Sequence, residues 1–127
     1  MKRRVITACV FILFSLTVGF LSLYAVRENC TLLCKSLEEL KPDAVSDNAA
    51  EVNRAAVRAN GIWESKKTLF HILTNHTELS DFEISFEQMV YNSEIGNIEQ
   101  TAAFAEECCE ALYHIKRSSE PSADNIF

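Results

Sequence analysis

Hydrophobic and polar positions divide the chain in two. From Val5 to Val26 no side chain is charged. As a helix rising about 1.5 Å per residue this run spans roughly 33 Å, matching a hydrocarbon core about 30 Å thick. Beyond Val26 the apolar positions recur at helical spacing between polar and charged ones. Leu32, Leu33, Leu37 and Leu40 carry that spacing outward as far as Pro42, which pushes its predecessor out of the α region. Asn48 and Glu51 then form a capping box for a second helix, with Val52, Ala56, Ala59, Trp63, Phe70 and Leu73 on one face. Lys66 interrupts that stripe, although its aliphatic stem suits it. Gly61 weakens the middle by about 1 kcal/mol relative to Ala. The apolar face resumes in phase after it, so the pattern predicts one long helix with a local kink.

A third helix is expected from the capping box Ser80-Asp81-Phe82-Glu83, with Leu79 and Ile84 as its hydrophobic staple. Phe82, Phe86, Met89 and Ser93 form its buried face. Gly96 closes it in the left-handed C′ position. Asn97 and Gln100 open the last helix, where Ile98, Thr101, Ala105, Cys108, Leu112 and Ile115 keep the rhythm of an antiparallel seam. Lys116 and Arg117 suit its negative C-terminal end. Short connections near 75–79 and 95–97 force antiparallel neighbours. The expected fold is all-α: an N-terminal transmembrane helix followed by a small antiparallel up-and-down helical bundle. The expected division is a basic flank and signal-anchor over 1–26, an extracytoplasmic bundle over 27–117 and a tail over 118–127.

Charge sets the orientation. Lys2, Arg3 and Arg4 precede the apolar run, and all 18 acidic residues follow it. Taking those three from the 12 basic residues leaves nine against 18, a balance of −9 from Arg27 onward. Basic flanks stay cytoplasmic, so residues 27–127 are expected outside. A domain this acidic makes nucleic acid an unsuitable partner. A cleaved signal peptide is the competing reading of residues 1–26, but such peptides have a shorter apolar run and a small-x-small site. Leu23-Tyr24-Ala25 places Leu where a small residue is needed, and no lipobox precedes Cys30. The expected partners are the membrane, through residues 5–26, and another envelope protein.

Chemistry is sparse. No P-loop, Gly-x-Ser-x-Gly or His-Glu-x-x-His motif occurs, and no cofactor, metal or enzymatic role is expected. Asn75-His76-Thr77, followed by Glu78, is the most site-like stretch, because an imidazole there titrates near neutral pH. Its structural reading is a helix end, with Asn in a left-handed turn and His bonding the last carbonyls. His71 and His76 are not spaced to share a helix face, and His114 is remote in sequence. Cys9 lies in the anchor, Cys30 and Cys34 stand one turn apart, and Cys108-Cys109 lies on the last helix. If that helix returns toward the membrane, a disulfide between one member of each exported pair would close a long loop. The plain alternative is that these cysteines act as small apolar residues. Trp63 and Phe70, Phe82, Phe86 and Phe104 are expected in the core. The terminal Ile126-Phe127 either docks on the bundle or serves as a recognition end.

The order of these features carries a resemblance. A basic N-terminus and single anchor precede a long helix with Trp63 and Lys66-Lys67, then Asn75-His76, a short antiparallel pair and a terminal Asn125-Ile126-Phe127. This resembles the bacterial family catalogued as domain of unknown function 4363, found mainly in Gram-positive, often spore-forming lineages. The resemblance covers nearly the whole chain, and Gly61 and Cys108-Cys109 depart from it. It implies a membrane-anchored helical protein of the cell envelope and supplies no activity. It also marks Trp63, Asn75, His76, Asn125, Ile126 and Phe127 as candidate signature or interaction residues. The expected role is an interaction or accessory module. The alternative is an envelope enzyme or thiol redox sensor using His76 or the exported cysteines.

Overall fold

The computed structural model describes residues 1–41 and 46–118. Within them lie four long helices: α1 (Lys2–Glu38), α2 (Ala49–Leu73), α3 (His76–Glu94) and α4 (Ile98–Ser118). No strand occurs among the described residues.

α1 is a single helix in two environments. Residues 1–21 are all exposed, and Phe11, Ile12, Leu13 and Phe14 present apolar surface at successive positions around the helix. The helix is long and apolar enough to cross a membrane, and nothing in its most apolar stretch is buried in the bundle. A helix apolar on all sides is stable in lipid or a protein interior, and here the protein interior does not cover it. The same helix continues outward, where Val26, Cys30, Leu33 and Leu37 form one buried stripe that Leu40 extends. Leu32 lies off that stripe and is 44% exposed.

The other helices begin and end where local chemistry dictates. Asn48 caps α2, its side-chain oxygen accepting from the Glu51 N–H at 3.3 Å. α2 then runs unbroken through Gly61. The α3–α4 turn is a Schellman motif: Gly96 has φ +77°, its N–H donates to Ser93 O, and the Asn97 N–H donates to Asn92 O at 2.9 Å. Asn97 in turn caps α4, accepting from the Gln100 N–H at 3.2 Å.

The start of α3 differs from the expectation. Asn75 is its N-cap, with extended backbone, and its side chain accepts from the Thr77 N–H at 2.8 Å. The helix therefore begins at His76, one turn before Ser80, and Asn75-His76 opens α3 instead of closing α2. An Asn cap at 75 competes with a Ser box at 80, and the earlier start wins because it puts Leu79 into the core. The expected staple fails for the same reason. Leu79 is 1% exposed while Ile84, five positions on, faces solvent at 59%. α4 also continues through Ser118, whose hydroxyl donates to Glu78 Oε1 at 2.7 Å.

Packing follows a ring. α1 lies against α2 and α4, α3 lies against the same two, and the diagonal pairs approach little. Antiparallel neighbours are fixed by contacts near opposite ends, such as the Asn53 side-chain amide donating to Ser93 O at 3.2 Å. The core they enclose holds Leu33, Leu37, Phe70, Leu79, Phe82, Met89, Leu112 and Ile115. The result is an up-and-down helical bundle whose first helix runs on as the apolar segment.

Candidate functional site

Trp63 is the hub of an aromatic cluster between α2 and α3. Its ring lies 4.9 Å from Phe82 in a T-shaped contact, 5.6 Å from Phe70 and 6.1 Å from Phe86. Phe82 and Phe86 also pack together at 5.4 Å. Phe104 is half-buried beside this core. Offset and edge-on ring contacts of this kind add about 0.5–1.5 kcal/mol per pair beyond area burial.

Above the cluster a cleft of about 270 Å³ opens between α2 and α3. Trp63 and Phe86 contribute to its lining together with Tyr91, and Glu64, Glu83, Glu87 and Glu94 set carboxylates around it against Lys67. Glu83 Oε1 is buried, and His71 Nε2 approaches it at 2.8 Å. The cleft therefore joins an aromatic floor to an acidic rim, which suits a cationic group carried on an apolar stem.

The histidines do not converge into one constellation. His71 faces Glu83, His76 is exposed at the first position of α3, and His114 is exposed beside the Tyr113 ring. Among the described residues no group of three His, Cys, Asp or Glu side chains could hold a metal ion. Asn125, Ile126 and Phe127 lie outside the described residues.

The cysteines do converge in part. All five are free thiols in this structure. Cys30 and Cys108 are buried in the core, at 2% and 0% exposure. Burial pushes the Cys30 thiol up to about 12, opposed by the nearby Lys116 ammonium. Burial also raises Cys108, with Cys109 and Glu107 adding to the effect. Cys34 and Cys109 are half-buried and meet across the α1–α4 contact, where the Cys109 thiol donates to Cys34 O at 3.8 Å. A groove of about 310 Å³ runs over them, bounded by Glu38, Lys35, Tyr113 and Lys116.

Sequence reasoning placed Trp63 in the core and brought the two cysteine pairs to the same helix contact. It missed the acidic rim. The signal was present, because Glu83, Glu87, Tyr91 and Glu94 recur at helical spacing beside the buried Phe82–Phe86–Met89 stripe. No protein-family model, curated protein or solved structure matches the chain.

Proposed function

We propose that this chain is a single-pass protein of the cell envelope, with its N-terminus cytoplasmic, whose bundle is an extracytoplasmic interaction module for another envelope protein. The observation that carries this reading is the double use of α1. One unbroken helix is bare and apolar at its start, and supplies Val26, Cys30, Leu33 and Leu37 to the bundle core at its end. Such a bundle is displayed at a fixed distance from the bilayer instead of on a flexible tether. Retention of the anchor is supported by Ser22, Leu23 and Ala25, which are helical and half-buried where a signal cleavage site would need an accessible, extended chain. The three basic residues before the apolar run support the orientation. The resemblance to the domain of unknown function 4363 family agrees with this reading, which stands without it.

The partner surface best supported is the α2–α3 cleft. Its four carboxylates and aromatic floor fit a basic segment of a partner protein that inserts an apolar or aromatic side chain. The role is binding, with no catalytic step assigned. A photo-crosslinking side chain at Tyr91, on the cleft, is compared with one at Tyr113, on α4; the two are 58% and 60% exposed. Recovery of one stoichiometric partner from position 91 and not 113 is the expected result. Equal capture at both positions, or none at 91, overturns the assignment of the cleft.

A further inference from the structure

Cys34 and Cys109 stand 75 residues apart in sequence, yet the fold presses them together where α1 and α4 run antiparallel. The Cys109 thiol reaches the Cys34 carbonyl oxygen at 3.8 Å, while the Cys34 thiol donates to Glu38 Oε1 at 3.8 Å. Cys108 is closed into the apolar core, and Cys30, although it edges the same groove, is only 2% exposed. Cys34 and Cys109 border the groove of about 310 Å³ and are only half-buried, so a small reagent reaches them from solvent. Lys116 Nζ also donates to Thr31 Oγ1 at 3.4 Å across the same pair of helices.

We propose that Cys34 and Cys109 are a dithiol pair that closes to an inter-helix disulfide, locking the last helix of the bundle onto the helix that carries the apolar segment. The oxidant is an organic disulfide, either a small one or that of an oxidised thiol oxidoreductase. The Cys34 thiolate attacks the donor disulfide, whose S–S bond breaks, giving a mixed disulfide on Cys34 and one released thiolate. The Cys109 thiolate then attacks Cys34 Sγ and expels the second. Two protein thiols are oxidised by two electrons, one donor disulfide is reduced to two thiols, and the two protons end on those products. Cys109 is the resolving partner because burial, followed by its hydrogen bond to Cys34, pushes its thiol up to about 12. A poor nucleophile in solution still succeeds against a sulfur held beside it. The S–S bond is about 2.0 Å long, so side-chain rotation must close the remaining gap, while neither helix changes neighbours.

The physiological oxidant rests on the extracytoplasmic reading above, but the test does not. Purified full-length protein in detergent micelles is incubated with glutathione disulfide at pH 8.5. Free thiols are then blocked with a maleimide, and peptides are mapped by mass spectrometry. The expected product is a Cys34–Cys109 crosslink formed without change in helical content, with the melting temperature raised by at least about 5 °C. Cys34→Ser and Cys109→Ser should each abolish it, whereas Cys30→Ala and Cys108→Ala should retain it wherever circular dichroism shows a folded bundle. Formation of Cys30–Cys109 or Cys34–Cys108 instead overturns the pairing. Persistent glutathionylation of Cys34 with no internal bond overturns the inference as a whole. A protein that closes this bond in micelles but proves cytoplasmic in cells would leave the pairing standing and remove the envelope assignment.

Discussion

Removing the Phe82 ring should come close to unfolding the bundle. Phe82 is fully buried and touches both Trp63, at 4.9 Å, and Phe86, at 5.4 Å. Deleting a buried ring removes about 150 Å² of apolar contact. At about 25 cal/mol per Å² that area is worth about 3.8 kcal/mol, inside the 3–5 kcal/mol typical of buried Phe→Ala changes. The Trp63 and Phe86 rings that pack against it are themselves buried, at 5% and 3% exposure, so a cavity should remain and little of the loss should be recovered. A bundle of this size has a total stability of roughly 5–10 kcal/mol, so Phe82→Ala should leave it marginal at room temperature. Ile84→Ala is the control. It lies on the same helix but is 59% exposed, and its cost should stay within about 0.5 kcal/mol. Urea titration of the full-length protein in micelles measures both. The sole tryptophan, Trp63, is 5% exposed and reports directly on this cluster by its emission shift. A cost below about 1 kcal/mol for Phe82→Ala, or equal costs for the two variants, would show that the buried face of α3 has been misassigned.

Gly96→Ala should destabilise by about 1–2 kcal/mol in the same titration, because φ +77° is left-handed. Gly61→Ala should instead stabilise by about 0.5–1 kcal/mol, since it is helical and a Cβ there meets nothing within 4 Å. Asn75→Ala should cost about 1 kcal/mol by removing the α3 cap, while His76→Gln should change stability by less than about 0.5 kcal/mol. His76→Gln should also restore a deletion phenotype, and failure of a folded, abundant protein to do so would make His76 a functional group. The Cys30 thiol is raised by burial from its ordinary 9.0 to about 12. A group whose pKa rises on folding stabilises fully below its unfolded value, so stability should be flat below pH 9 in this respect. It should then fall as pH climbs toward 12, and Cys30→Ala should show a smaller alkaline loss.

The sequence disclosed the helices because each is amphipathic at long, regular spacing, and because Asn48, Asn97 and Gly96 carry unambiguous end chemistry. The buried stripe of α4 reads directly from Thr101, Ala105, Cys108, Leu112 and Ile115. The beginning of α3 differs from the sequence expectation, which set the cap at Ser80 and left Asn75 at the end of α2, whereas Asn75 is the cap. What decides between them is the burial of Leu79, a tertiary fact that no local pattern contains. The cysteine pairs were legible as neighbours once the last helix was read as returning toward the first. Which thiols touch was not, because one residue of helix, about 100° of rotation, separates the buried Cys108 from the groove-lining Cys109. The acidic cleft was the least visible feature. Its carboxylates come from two helices, and a charged stripe on one helix is ordinarily just its solvated face.

The proposed double role of α1, as membrane anchor and core helix, predicts that the chain is never cut between the two. The direct measurement is the intact mass of the protein recovered from membranes, together with the activity of a reporter fused after Phe127 that works only outside the cytoplasm. The expected result is the mass of the fusion beginning at or next to Met1, entirely in the membrane fraction, with the reporter active. A soluble form beginning near Val26, or an inactive reporter on an intact membrane-bound chain, would contradict it.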